Sequence, residues 1–155
     1  MLTHIDENNN PSMVDVGDKL VTERTASARA IVLLPEEISK LFYNNDIQSK
    51  KGPVFHTAII AGTMGSKKTP DLIPFCHPIG LENCKITIIL KNNEVIIDCH
   101  TKVTSKTGVE MEALTGASIA ALTVYDMCKA MSHNIIIKEI KLIEKKGGKS
   151  DFIQK

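Results

Sequence analysis

Residues 84–103 have the sequence CKITIILKNNEVIIDCHTKV, and this stretch decides the fold. Two runs rich in β-branched residues, Cys84–Leu90 and Val95–Val103, lie on either side of the tetrapeptide KNNE. β-Branched side chains suit a pleated strand, and asparagine tolerates the left-handed backbone of a tight turn. The stretch therefore predicts an antiparallel hairpin with its turn at residues 91–94.

The segments before this hairpin predict a strand and then a helix. Arg24–Leu34 alternates in polarity at its start and then becomes apolar, which is typical of a strand, and Pro35–Glu37 opens a short helix. Val54–Met64 has apolar residues at 54, 55, 58, 59 and 61. This spacing favours a helix, although the isoleucines leave a strand open.

The segments after the hairpin predict a helix and then a strand. Val109–Met131 has the composition and length of a long helix, and Asn134–Ile143 is a β-branched run. The major elements thus follow the order strand, helix, strand, strand, helix, strand. This βαββαβ order predicts an α+β, ferredoxin-like fold, in which an antiparallel sheet carries helices packed on one face.

The composition predicts one soluble domain. A chain of 155 residues buries roughly two thirds of its unfolded surface, so we expect a single domain over residues 1–155, with flexible ends at 1–12 and 148–155. The formal net charge of +1 provides no general attraction to nucleic acid or to membranes. The uncharged window at 113–125 is shorter than the about 20 residues that a membrane span needs.

The cysteines and the first residues predict a cytoplasmic protein. The four cysteines, Cys76, Cys84, Cys99 and Cys128, are widely spaced and form no CxxC pair. The opening sequence MLTHIDENNN is too polar for a signal peptide. We therefore expect reduced thiols in the cytoplasm.

Two acids stand close together at the predicted start of the long helix, in the stretch KTGVEME at 106–112. Thr107 and Glu110 have the spacing of a capping box, in which Glu110 bonds a free amide at the helix start. Glu112 lies about 200° round the helix from Glu110 and has no capping role. One acid is thus expected to cap the helix while the other takes part in chemistry.

Glu112, Asp126 and Lys129 fall within an arc of about 100° on a helix that is otherwise apolar almost all round. Such a helix is buried on several sides, which suggests a second subunit. Glu112 and Asp126 are separated by about 21 Å along the helix, so either the ligand is long or one site combines the helix ends of two subunits. The alternative is that Asp126 and Lys129 form a plain surface pair.

The stretch TPDLIPFCHP at 69–78 predicts a rigid loop, because its three prolines exclude a continuous helix. His77 precedes Pro78, which biases its backbone to an extended form. A histidine held in this way is a candidate acid/base group or phosphate contact, and the alternative is a hydrogen-bonded packing residue. Cys76 and His77 have no second pair at ligand spacing, so we expect no structural metal site.

Lysines next to glycines predict contacts to phosphate. They occur at Lys51–Gly52 and in the stretch KKGGKS at 145–150, which contains Lys149. Exposed amides and an ammonium group can share anionic oxygens, whereas the alternative is a solvated lysine-rich tail. The second stretch is not a P-loop, because that motif requires glycine at the position of Ile143.

Together these stretches resemble the MoaC family of molybdenum cofactor biosynthesis, over nearly the whole chain. The most specific matches are TGVEMEALT at 107–115 and YDMCKA at 125–130. Further matches are MVDV at 13–16, Lys51–Gly52, IAG at 60–62, DLIP at 71–74, CHP at 76–78 and GGKS at 147–150.

The resemblance implies an enzyme that converts 3′,8-cyclo-7,8-dihydroguanosine 5′-triphosphate to cyclic pyranopterin monophosphate and releases pyrophosphate. Its substrate would come from a radical SAM GTP cyclase, and its assembly would be a homohexamer, a trimer of dimers, with the active site at a subunit interface. The family implies that Asp126 and Lys129 are the catalytic pair. The residues implied to bind the substrate are Phe75, Cys76, His77, Glu110, Met111, Glu112, Lys51 and Lys149.

In that reaction Lys51, Lys129 and Lys149 would neutralise the triphosphate and the departing pyrophosphate. Asp126, paired with Lys129, and either Glu112 or His77 would move protons. The sequence requires no cofactor, and it leaves open whether magnesium accompanies the triphosphate.

The sequence departs from the family pattern at three places. Lys102 stands where relatives commonly have arginine, and Ser105 replaces a frequent glycine. A glycine often found before the position of Asp151 is missing. The first departure exchanges a forked cation for a point charge, which weakens bidentate contact with an anion.

Two other classes of protein are alternatives to the enzyme. A ferredoxin-like RNA-binding module would need aromatic residues on its strands, but Cys84–Leu90 and Val95–Val103 contain none. A purely structural, oligomer-forming domain would make the charged arc incidental.

Overall fold

The computed structural model of the protein describes residues 4–155. The part of the expected flexible N-terminal end that falls on residues 1–3 lies outside the described residues. In chain order the elements are β1 (Thr22–Leu33), α1 (Glu36–Ser39), β2 (Phe42–Tyr43), β3 (Asp46–Ser49), β4 (Gly52–Pro53), α2 (Val54–Lys67), α3 (Thr69–Leu72), β5 (Asn83–Lys91), β6 (Glu94–Ser105), α4 (Glu110–Cys128), β7 (Ile136–Lys146) and β8 (Phe152–Ile153).

The main sheet has the strand order β5-β6-β1-β7-β8, and all its pairings are antiparallel. The helices α2 and α4 pack against each other, and α4 also packs on β1, β6 and β7. The predicted α+β, ferredoxin-like fold is therefore confirmed. The segment 54–64, for which a strand was the alternative, forms a helix.

The hairpin turn follows from its two asparagines. Asn92 and Asn93 have φ angles of 50° and 48°, and they connect the paired residues Lys91 and Glu94. Positive φ at both central residues defines a turn whose twist matches that of the flanking strands. The predicted hairpin is confirmed, with its register set by this turn.

Small residues let the helices approach each other and the sheet. Ala26, Ala28 and Ala30 of β1 are fully buried or nearly so. A Cβ atom at Gly62 of α2 would lie 2.7 Å from the carbonyl oxygen of Gly116 in α4. The crossing of α2 and α4 thus depends on glycine, and it fixes the position of both ends of α4.

Several short elements are additions to the predicted order. Strands β2, β3 and β4 form a small second sheet, and α3 occupies part of the proline-rich stretch with Pro70 in its first turn. Phe152 and Ile153, within the tail expected to be flexible, pair with Lys145 and Glu144 of β7. The flexibility of residues 148–155 stays a prediction.

Short-range bonds hold the segment 4–12 together. Ile5 and Pro11 form an isolated bridge, and the Asp6 carboxylate accepts a bond from the Asn8 amide. Among the helices of residues 4–155, none is both long and apolar enough to cross a membrane.

Candidate functional site

A wide cavity of about 450 Å³ opens at the start of α4. The first turn of this helix contributes Glu110, Met111 and Glu112, and the loop after α3 contributes the stretch 75–77. The full lining is His4, Val14, Val16, Lys19, Phe75, Cys76, His77, Thr107, Gly108, Glu110, Met111 and Glu112. Six residues implied to bind the substrate therefore lie round one cavity.

Glu112 is a buried acid in this cavity. Glu112 is only 3% exposed. This loss of hydration raises the pKa of its carboxyl to about 7, and the charge of Glu110 adds to the rise. Desolvation disfavours the charged form of a carboxyl group. Glu112 can thus gain or lose a proton near neutral pH.

The predicted capping box is wrong. The N-cap of α4 is Val109, and no side chain bonds the free amides at this end. The Glu110 carboxylate instead folds back against Gly108, where its Oε2 is buried without a hydrogen-bond partner and its Oε1 lies 3.7 Å from Nζ of Lys145. Glu110 and Glu112 therefore line the same cavity.

The loop residues meet the N-terminal segment across the cavity. Nε2 of His77 donates to the Val14 carbonyl at 2.7 Å, so the ring both lines the cavity and holds the segment in place. Burial, with smaller contributions from Glu112 and Glu110, raises the pKa of the Cys76 thiol. Cys76 is consequently a neutral thiol at physiological pH.

A second cavity, of about 180 Å³, adjoins the first and shares Lys19, Gly108 and Glu110 with it. We call it the basic cavity, because five of its lining residues are cationic and only Glu110 is acidic. The cationic residues are Lys19, Arg24, Lys145, Lys146 and Lys149. Such a concentration of charge suits a polyanion.

The basic cavity contains residues that sequence reasoning missed. Arg24 lies on β1, and its Nε is buried without a hydrogen-bond partner. Thr22 on the same strand donates to the Gly147 carbonyl at 2.7 Å, which brings the glycine-rich stretch 147–150 against β1. Lys145 and Lys149 belong to a stretch whose composition indicated phosphate, but nothing in the pattern linked Arg24 or Lys19 to it.

A third group lies at the other end of α4. Nζ of Lys51 is 2.7 Å from Oδ2 of Asp126, and Nζ of Lys129 is 2.9 Å from Oδ1. These two cations, with Lys129 contributing most, lower the pKa of Asp126 to about 2. The side chains of all three residues are about half exposed. We call these residues the lysine–aspartate cluster.

The structure does not bring all the predicted site residues together within one protomer. Neither cavity is lined by Lys51, Asp126 or Lys129. Glu112 and Asp126 stand about 21 Å apart along α4, as estimated from the rise of a helix. The cluster and the cavities thus lie at opposite ends of one helix.

The structure bears on two further points, the position of Lys102 and the grouping of possible metal ligands. Lys102, which replaces the arginine common in relatives, has its Nζ 3.1 Å from Oε2 of Glu23 and lines neither cavity. Among residues 4–155, no three His, Cys, Asp or Glu side chains are grouped as metal ligands would be.

The model of the MoaC family matches residues 13–148. A cyclic pyranopterin monophosphate synthase of Xanthomonas axonopodis pv. citri is 50% identical over 97% of this chain and 92% of its own length.

Two longer relatives are similar at the same level. A molybdenum cofactor biosynthesis bifunctional protein of Synechocystis is 53% identical over 99% of the chain, which spans 46% of that protein. Molybdenum cofactor biosynthesis protein 1 of Dictyostelium discoideum is 53% identical over 93% of the chain, which spans 26% of that protein. The match to the family model covers most of the chain, which therefore belongs to the MoaC family.

Proposed function

We propose that the protein converts 3′,8-cyclo-7,8-dihydroguanosine 5′-triphosphate to cyclic pyranopterin monophosphate with release of pyrophosphate, in molybdenum cofactor biosynthesis. It would act as a phosphorus–oxygen lyase. One observation carries the proposal: the basic cavity adjoins a wider cavity that holds a buried acid, with Glu110 and Lys19 lining both. This arrangement suits a ligand with a polyanionic end and a ring system that exchanges protons.

The triphosphate would lie in the basic cavity. Lys145, Lys149 and Arg24 provide positive charge there, and ammonium and guanidinium groups bind phosphate oxygens through charge-assisted hydrogen bonds. The same charges would stabilise pyrophosphate as it departs. The guanidinium of Arg24 borders this cavity, and its Nε is buried without a hydrogen-bond partner.

The ring system would lie in the wide cavity, beside Phe75, Met111 and Cys76. Opening and reclosing a ring requires protons to be both delivered and removed. Glu112 suits this work, because a group whose pKa lies near the working pH serves as both acid and base. His77 also borders the space and is the alternative proton carrier.

Asp126 and Lys129 are proposed as the catalytic pair, with Lys51 beside them. Formation of the cyclic phosphate requires a sugar hydroxyl to lose its proton while the oxygen attacks the α-phosphorus. In the protomer Asp126 is fully ionised and held between two ammonium groups. A phosphate that draws Lys51 or Lys129 away would free the carboxylate to accept that proton.

A homohexamer, a trimer of dimers with its sites between subunits, would bring the lysine–aspartate cluster of one subunit to the cavities of another. The cluster and the cavities of one protomer lie at opposite ends of α4, so a neighbouring copy must supply one of them to the other. The exposed apolar side chains of Ile60 and Met64 on α2 and Leu122 on α4 support such an assembly. A cytoplasmic location and a radical SAM GTP cyclase as supplier of the substrate complete the proposal.

The test is incubation of the protein with the cyclised GTP triphosphate, followed by assays for pyrophosphate and for the pterin product. An enzyme gives both in equal amounts, whereas an RNA-binding module or a purely structural domain gives neither. Repeating the assay with EDTA and with added magnesium tests the expectation that no cofactor is required. Turnover without pyrophosphate would contradict the proposed reaction.

A further inference from the structure

Asp46 is a buried carboxylate that the proposed chemistry does not use. Its side chain is 4% exposed. It lies at the first position of β3, which is the middle strand of the small second sheet. A buried carboxylate is costly unless several donors satisfy it. Its contacts therefore indicate a specific role.

Four donors converge on this carboxylate. Oδ1 accepts bonds from the amides of Ile47 and Phe55, both at 2.7 Å, while Oδ2 accepts from the His56 amide at 3.1 Å and from Nδ1 of the same ring at 2.6 Å. These bonds lower the pKa of Asp46 against the opposing effect of burial. Asp46 is thus an ionised anchor.

The anchor substitutes for a missing cap on α2. The N-cap of this helix is Pro53, which makes no side-chain cap bond. Asp46 satisfies the free amides of Phe55 and His56 from outside the helix. The first four amides of a helix need partners of this kind.

The same bonds close the segment that carries Lys51. β3 and β4 form a hairpin in which Gln48 pairs with Pro53 and Ser49 with Gly52, and α2 follows at once. Asp46 at one end of this hairpin is bonded to Phe55 and His56 beyond the other end. Closing both ends of a short loop restricts the conformations of its tip.

Lys51 lies at that tip. The Ser49 hydroxyl donates to the Gly52 carbonyl at 3.0 Å and accepts from the Lys51 amide at 3.1 Å, and Gly52 has a φ of 112°. From this turn the Lys51 ammonium reaches Asp126 at 2.7 Å. Burial, with a smaller contribution from the charge of Asp46, raises the pKa of Cys128, the last residue of α4.

We propose that Asp46 is a positioning residue, whose carboxylate holds the β3–β4 turn on the start of α2 and thereby fixes Lys51 against Asp126. The inference deepens the proposed function, because it concerns the cluster that the proposed reaction uses. Asp46 itself lines neither cavity, and its bonds go to Ile47, Phe55 and His56, outside the cluster.

The first arm of the test observes Lys51 without turnover. In ¹⁵N-labelled protein we expect a distinct ammonium signal for Lys51, identified by its absence in Lys51→Met. We expect Asp46→Asn to shift this signal to the position of free lysines. The matched control is Ser39→Ala, which removes another buried polar group, bonded to Asn93 at 2.6 Å and outside the cluster. This control should leave the Lys51 signal unchanged.

The second arm is a double-mutant cycle on kcat. We expect Asp46→Asn to lower kcat by about 10- to 100-fold, the scale of loss when a reacting group is misplaced. In a Lys51→Met background the same change should have almost no further effect, because residues that act as one unit are not additive. A general loss of stability would multiply the two effects.

The outcomes separate this inference from the proposed function. If the wild-type protein shows no turnover, the proposed reaction fails while the ammonium signal still tests the anchor. If Asp46→Asn does not fold, His56→Ala, which changes an exposed ring and removes one of the four bonds, should weaken the Lys51 signal in the same direction. An unchanged Lys51 signal in the folded variants, or the lack of any distinct signal in the wild type, overturns the inference.

Discussion

Nζ of Lys51 lies 2.7 Å from Oδ2 of Asp126, although 75 residues separate the two in the chain. The hairpin before α2 supplies the lysine and the last turn of α4 supplies the acid, so the packing of α2 on α4 creates the pair. Lys129 completes the cluster from the same helix end as Asp126. Both lysines therefore pair with the same carboxylate.

Replacing Asp126 with asparagine should leave assembly intact and lower kcat by about 10² to 10⁴-fold, the usual contribution of a general acid or base. The measurement is pyrophosphate release, with size-exclusion chromatography to check assembly. Asp71→Asn is the matched control, since Asp71 is an exposed acid whose carboxylate lies 3.6 Å from Nζ of Lys68, three residues earlier. Normal turnover by the Asp126 variant would refute the assignment.

Glu112 should make the protein less stable as the pH rises. Its pKa is about 7 in the fold and 4.5 in the reference state, so the folded protein binds the extra proton between these values. The contribution of Glu112 to the free energy of unfolding is thus highest below pH 4.5 and falls between about pH 4.5 and 7. The total decrease is at most about 3 kcal/mol.

Urea denaturation at pH 5 and pH 8 measures this effect. Glu112→Gln should remove most of the difference between the two pH values, because an amide does not titrate there. Glu36→Gln, an exposed acid in the first turn of α1, should retain it. Equal pH dependence in the Glu112 variant and the wild type would show that another group is responsible.

Lys145→Met should weaken binding of the triphosphate more than it slows the chemistry. The lysine lies in the basic cavity near Glu110, and loss of a hydrogen bond to a charged group costs roughly 10- to 100-fold in affinity. We expect KM to rise by this factor with little change in kcat, and inhibition by added pyrophosphate to weaken likewise. Lys141→Met, whose lysine pairs with Glu139 on β7, is the control.

Gly62→Ala should destabilise the protein by about 1 to 3 kcal/mol, as overpacking of a core does. The new methyl group would lie 2.5 Å from Cδ1 of Ile86 and 2.7 Å from the Gly116 carbonyl oxygen, so α2 and α4 would have to separate. Urea denaturation gives the change in free energy of unfolding. Gly80→Ala, where the methyl would meet no atom within 4 Å, should have almost no effect.

The ferredoxin-like fold was predictable because its elements have strong local signals. The Asn92–Asn93 turn and its flanking β-branched runs define the hairpin, and the apolar length of residues 109–131 defines α4. The small second sheet escaped prediction, because β2 and β4 have only two residues each and the sheet contacts α2 through β3 and β4. No short-range pattern encodes such contacts.

The candidate site was predictable only in part. Phe75, Cys76, His77, Glu110 and Glu112 share a cavity, and their role in binding the substrate stays a prediction. Spacing assigned Glu110 to a cap that the structure does not contain. Arg24 reaches the basic cavity from β1, which pairs with β7 far along the chain, and Lys19 reaches it from the loop before β1. Sequence spacing reveals neither. That the lysine–aspartate cluster and the cavities form one site stays a prediction, since it depends on a second subunit.

The turn at Asn92 and Asn93 also bears on how the chain acquires its fold. β5 and β6 are joined by two residues, so their pairing needs little loop closure and can form on the microsecond scale of isolated hairpins. β1 must instead recruit β6 and β7 from far along the chain, with Thr22 opposite Ser105 and Thr25 opposite Lys146. Insertion of the central strand, with its high contact order, is therefore the step expected to limit the rate of folding.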